Sequence, residues 1–233
     1  MPIDRWLSGL SQHDHASVDG DLEALTRPHP FLTEQRACTQ IESLSGHLGG
    51  LKQVVRRQVI AYSLYIRQLD TVLESGPRAT CGSNCPRPPV GCCNDDHFVT
   101  LSAMDLMSAQ HSPMALHMAH IIGGLQQNES AHSLRQGQRL KPGHCRCLAE
   151  DGCTIRLFKS PRCAHYLCNE VGQAMQDQHT GSATAFLAAM HYTVSSPISS
   201  PRDFTNPNVL SEAAALFNPL PDGTAPLLPK SPA

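Results

Sequence analysis

Residues 33–77 read TEQRACTQIESLSGHLGGLKQVVRRQVIAYSLYIRQLDTVLESGP, and this stretch decides the fold class. Ile41, Leu44, Leu48, Leu51, Val55, Val59, Tyr62, Ile66, Leu69 and Leu73 recur at steps of three and four. That period puts them on one face of an α-helix, because side chains three and four apart stack above one another. Thr33 suits the N-cap, and Gly76-Pro77 is a strong stop. Gly46, Gly49 and Gly50 each cost about 1 kcal/mol against alanine in a helix, so a break falls most easily near 46–50. The helix either packs on the cysteine core, which is the blander and preferred reading, or pairs with a copy of itself, and helix 33–75 is where a protein partner would bind.

Around this helix the chain divides by composition. Residues 1–32 form an acidic flexible tail, with five acids and two arginines before Pro30. Residues 33–76 are the amphipathic helix, and residues 77–170 are a cysteine-rich domain with a helical insertion over 98–140. Within that insertion Ser102 and Ser112-Pro113 each read as a helix start. Residues 171–233 return to helix, best over Ala183–Met190, then run into a proline-rich tail with one short helix near Leu210–Phe217. The 233 residues make one or two domains at roughly 100–200 residues each.

Composition excludes several classes. A formal charge of −2 does not indicate nucleic acid. No run approaches the roughly 18 apolar residues that a membrane helix needs. The start, Met1-Pro2-Ile3-Asp4-Arg5-Trp6, has no basic stretch followed by an apolar one, so the expectation is a cytoplasmic protein.

Against that expectation the ten cysteines stand out, because nine of them fall between Cys81 and Cys168. A reducing compartment disfavours lasting disulfides, so clustered cysteines there point to metal or redox chemistry. Cys38, alone in the helix, reads as a core thiol. No pair has the two-residue spacing of a thioredoxin-type motif or a zinc knuckle, and the ferredoxin intervals are missing as well. From Gly76 to Asn94 neither helical nor strand periodicity is present, and metal coordination would supply the missing order. Asp151-Gly152 lies between two short apolar pieces and suggests a hairpin.

The pattern that is present runs Cys81-x3-Cys85-x6-Cys92-Cys93, then Cys145, Cys147, Cys153, Cys163 and Cys168. It resembles the YkgJ-type cysteine-cluster family of zinc- or iron-chelating proteins. Cys145-Arg146-Cys147-Leu148 stands where that family has a CPFL segment, and Cys153-Thr154-Ile155 opens its closing motif. Cys163 follows ten residues on, with Tyr166 in the aromatic slot before Cys168. The entry of the inserted helix, Ser102-Ala103-Met104-Asp105, is also similar. The departures are Lys159-Ser160-Pro161 for an Arg-Pro pair, Arg156 for a tyrosine, Ala164 for an arginine, and Cys147 as an extra thiol in a position normally aromatic.

The resemblance implies a metal site built from Cys81, Cys85, Cys92, Cys93, Cys145, Cys153, Cys163 and Cys168. The cofactor is an iron–sulfur cluster, slightly preferred, or zinc. Residues 135–162 carry seven Lys or Arg against two acids, and local positive charge favours thiolates. His97, His144 and His165 flank the cysteines and are candidates to replace a thiolate, whereas His13 and His15 read as solvated and His117 with His120 as a helix face. The expected fold is mainly α, with irregular, metal-organised Cys-rich loops and at most a short β-hairpin. The expected function is metal binding. An enzyme or accessory using the cluster for electron transfer or protein modification is one alternative, and a partner-binding scaffold with purely structural metal is the other. No Gly-rich phosphate loop, GxSxG elbow or HExxH motif is present to carry catalysis.

Overall fold

The computed structural model describes residues 28–49, 53–77, 93, 123–125, 129, 145, 147–149, 152–179, 181, 183–196 and 205–217. They are mainly helical. α1 is Glu34–Leu48, α2 Gln53–Ser75, α3 Pro161–His165, α4 Asn169–Gln178, α5 Ala183–Ser195 and α6 Pro207–Leu216. The two strands, β1 (Leu148–Ala149) and β2 (Gly152–Cys153), pair antiparallel with Leu148 opposite Cys153. The expected hairpin is therefore present, with Gly152 as the first residue of its second strand. The helix starts expected at Ser102 and Ser112 lie outside the described residues.

The periodic stretch folds as two helices. Thr33 Oγ1 accepts the Arg36 N–H at 3.2 Å and caps α1, and Gly49 ends it, so the break falls within the glycine-rich interval. α1 packs on α2. Ala37, Ile41, Leu44 and Leu48 from the first, with Val59, Tyr62, Ile66 and Leu69 from the second, lie buried in one core. Gln40 sits in that seam and donates to Ser63 Oγ at 2.8 Å, which satisfies two polar side chains away from water. The apolar face of the helical pair is thus covered by the chain itself.

The other half of the core comes from α3 to α6. Val171, Met175, Ala183, Phe186, Met190, Val209 and Ala213 are buried in the same cluster. Gly181, at φ 85°, lies between α4 and α5 in the left-handed region that costs glycine least. Asn206 caps α6 by accepting the Asn208 N–H at 3.1 Å, donates to Thr193 Oγ1 at 2.8 Å, and is followed by Pro207 at the first helical position. Phe217 then stacks edge-on against Phe186 and His179. Its ring approaches Gly76 so closely that a Cβ there would lie 2.6 Å from Cε1, which explains a glycine after α2 beyond its role as a stop. α3 contacts both α2 and α5, and so hangs the second cysteine segment on the two halves of the core.

Candidate metal centre

The second cysteine run enters this scaffold through the hairpin. The Leu148 N–H donates to the Cys145 carbonyl at 3.0 Å, and the Thr154 N–H donates to the Cys147 carbonyl at 2.8 Å. These bonds close a tight turn on which the Cys147 N–H points at the Cys145 sulfur, 3.4 Å away. The Cys145 N–H itself donates to the Cys93 carbonyl at 2.9 Å. That bond ties the two cysteine runs together across the long insertion between them. Cys147 is buried at 2% exposure, whereas Cys145, Cys153 and Cys168 are half-buried and Cys93 and Cys163 are exposed.

Past the hairpin the chain turns inward. Ile155, Leu157, Phe158, Ser160, Pro161, Ala164 and His165 are all buried. Both oxygens of the Glu129 carboxylate hold this stretch. Oε1 accepts the N–H groups of Arg156 and Leu157 at 2.6 and 2.9 Å, and Oε2 accepts that of Phe158 at 3.0 Å. Three backbone donors with no strand to pair with are thereby satisfied by one side chain. Burial raises the Glu129 carboxyl above its ordinary range, against those three bonds and the nearby Lys159, which all favour the charged form.

Lys159 follows, buried, with its ammonium 2.5 Å from Asp70 Oδ1 on α2, and its carbonyl accepts from the Tyr62 hydroxyl. Ser160 Oγ accepts the Cys163 N–H at 3.1 Å and caps α3, with Pro161 at the first position. Residues 155–165 are therefore held by contacts of the protein itself.

His165 closes the segment and leaves the list of candidate ligands. Its Nδ1 lies 2.6 Å from the Pro161 carbonyl, which can only accept, so Nδ1 carries the proton. Nε2 then accepts from the Tyr65 hydroxyl. Both ring nitrogens are used, and burial drives the imidazole down to about 4, so it stands neutral. A metal would find no lone pair there. His97 and His144 lie outside the described residues, as do Cys81, Cys85 and Cys92.

The thiols of Cys145, Cys153 and Cys163 lie within electrostatic reach of one another. Burial raises Cys153 first, Lys159 opposes it, and Cys145 and Asp70 add to it. Burial likewise pushes Cys163 to about 12, offset by a hydrogen bond to Ser160 and by Lys159 and reinforced by Cys153 and Cys145. Cys163 is exposed, and its contact with solvent moderates that effect. Without a metal the Cys153 and Cys163 thiols hold their protons at neutral pH, and a divalent cation would displace them. Cys168, at the N-cap of α4, bonds the Glu170 carboxylate, which its own backbone N–H and that thiol hold below the ordinary range. Cys168 also borders an open groove of about 410 Å³ between α4 and α5, lined as well by Tyr166, Gly172, Leu187 and His191.

Among the described residues no three His, Cys, Asp or Glu side chains are arranged to hold a metal ion. The donor chemistry nonetheless fits a thiolate-bound metal. Cys145 and Cys153 on the hairpin segment and Cys163 in α3 are soft sulfur donors, and Cys93 is bonded to Cys145 through the backbone. Glu129, Asp70, Lys159 and Tyr65 are missing from the sequence-based candidates. Their partners lie tens of residues away, and only Ser160-Pro161 carried a local signal, that of a helix start.

Comparison with protein-family models, with curated proteins and with solved structures finds no match to this chain. No described helix is long and apolar enough to cross a membrane.

Proposed function

We propose that this chain is a cytoplasmic metal-binding protein whose thiolates hold an iron–sulfur cluster or zinc. The ligands are drawn from Cys81, Cys85, Cys92, Cys93, Cys145, Cys153, Cys163 and Cys168. The observation that carries this reading is the hydrogen bond from the Cys145 N–H to the Cys93 carbonyl, which brings the first cysteine run to the turn and hairpin that bear Cys145, Cys147 and Cys153. A tetrahedral zinc or a four-iron cluster takes four thiolates. The cationic stretch 135–162 and the buried Lys159 offset the negative charge such a site would carry. Bound metal would supply a structural cross-link between the two runs, or in the case of a cluster a one-electron carrier.

Anaerobic purification followed by metal and sulfide analysis and a visible spectrum tests this directly. Absorbance near roughly 400 nm with iron and sulfide supports a cluster, and colourless protein with stoichiometric zinc supports the zinc form. Protein free of both would overturn the proposal.

A further inference from the structure

We propose that Cys147 is the resolving thiol of a redox pair with Cys145. Peroxide then closes a Cys145–Cys147 disulfide and takes Cys145 away from bound metal, a release step that rests on the metal-binding reading above. Cys147 is buried at 2% exposure, yet it lies outside the apolar core cluster of the described residues, which takes in Cys38. Core packing therefore accounts for the thiol of Cys38 and not for that of Cys147.

The backbone of Cys147 is held from two sides. Its N–H points at Cys145 Sγ, 3.4 Å away, and its carbonyl accepts both the N–H and the hydroxyl of Thr154, at 2.8 and 3.1 Å. The bond from the Leu148 N–H to the Cys145 carbonyl, at 3.0 Å, closes the turn around both cysteines. Cα atoms two residues apart in such a turn lie about 5–6 Å from each other, within the roughly 4.4–6.8 Å that a disulfide spans. The Cys145 sulfur is thus already folded back onto the backbone of Cys147.

Exposure orders the steps. Cys145 is half-buried and open to a small oxidant, whereas Cys147 is closed to it. The Cys145 sulfur attacks the O–O bond of hydrogen peroxide and becomes a sulfenic acid, and the other oxygen leaves as water. The Cys147 thiol then gives up its proton, its sulfur attacks the Cys145 sulfur, and the sulfenic oxygen leaves as a second water. Two thiols are oxidised to one disulfide, and one peroxide is reduced to two waters. A ring enclosing a single residue constrains little chain, so a dithiol reopens it readily, which suits a transient bond in a reducing compartment.

The test uses the full chain loaded with zinc, a pulse of hydrogen peroxide quenched with catalase, and then dithiothreitol. Zinc release is read with a chromophoric chelator, and disulfides are mapped by tandem mass spectrometry. Wild type should release zinc with the Cys145–Cys147 bond as the main product, and should rebind most of it after reduction. Cys147→Ser and Cys147→Ala, each folded by circular dichroism, should bind zinc before the pulse but recover much less of it. In them Cys145 goes on to sulfinic acid, which dithiothreitol does not reduce. A main bond from Cys145 to any other cysteine, or recovery in both variants equal to wild type, would overturn the pair while leaving the metal site standing. Wild type that takes up no zinc before the pulse would overturn the metal-binding reading and the release step with it, and the disulfide map of that zinc-free chain would still uphold or overturn the pair.

Discussion

The Tyr65 hydroxyl donates to Nε2 of His165, joining the middle of α2 to the end of α3 across 100 residues of chain. With Nδ1 committed to the Pro161 carbonyl, the imidazole is fixed as a neutral tautomer in the core. Its folded value of about 4 lies below the ordinary 6.5, so on acidification the unfolded chain takes the proton first. The stability it contributes is complete above about pH 6.5 and is lost as pH falls toward 4, about 3 kcal/mol in all. Urea unfolding of metal-free protein at pH 7, 6 and 5 should show this loss, and His165→Gln should flatten it. Parallel losses in the two proteins would remove His165 as the cause.

Glu129 offers a test of how the second cysteine segment is held. Glu129→Ala would leave the N–H groups of Arg156, Leu157 and Phe158 without their acceptor. Each buried donor left unsatisfied costs about 1–3 kcal/mol, and relaxation or water recovers part of the total. A net loss of about 3 kcal/mol by urea unfolding is expected, with Glu129→Gln losing less because its carbonyl still accepts. An unchanged midpoint in Glu129→Ala would show that the carboxylate does not anchor the segment.

Gly76 and Phe217 should behave as one unit. Gly76→Ala forces a methyl against the Phe217 ring, which is itself wedged by Phe186 and His179. A loss of about 1–2 kcal/mol is expected from overpacking. In Phe217→Ala the same change at Gly76 should cost less, so the double-mutant cycle closes with a coupling energy rather than with zero. Additive losses would mean that the ring moves aside freely.

These relationships mark where the sequence was legible and where it was not. The steps of three and four from Ile41 to Leu73 carried α1 and α2, Thr33 carried the cap, and the glycines near 49 carried the break, because each of these signals is local. Asp151-Gly152 likewise marked the hairpin. The burial of residues 155–165 was not legible, since only Ile155, Leu157 and Phe158 are large and apolar there and no period links them. What orders them is Glu129 on backbone donors, Asp70 on Lys159 and Tyr65 on His165. Backbone donors leave no side-chain pattern, and the last two partners are 89 and 100 residues distant.

That anchoring has a consequence for metal removal. Hydrogen exchange should find the amides of Leu157 to His165 protected to a similar degree with and without metal, because protein contacts hold them. The hairpin from Cys147 to Cys153, with two short strands and a pair of closing bonds, should lose protection when metal is withdrawn. Loss of protection through Leu157–His165 as well would mean that metal, and not Glu129 and the core, orders the whole segment.

Cys38 and Cys147 should prove separable from the other thiols. Cys38 is buried in α1, where burial first, and then Glu34 and Glu42, raise its thiol, so it should resist alkylation in the native protein at pH 8. Cys147 is buried at the base of the hairpin. Replacing either with serine should cost stability through a buried hydroxyl and leave metal content nearly intact. Metal loss in Cys147→Ser would place that sulfur among the ligands.

The most direct test of the metal-binding claim is metal per chain, measured by native mass spectrometry and elemental analysis. It compares anaerobically purified wild type with a Cys153→Ser, Cys163→Ser double variant. Wild type should carry bound zinc or an iron–sulfur cluster, and the variant, folded by its helical signal, should carry markedly less. Equal metal in both proteins, or none in wild type, would contradict the assignment of these thiols to a metal site.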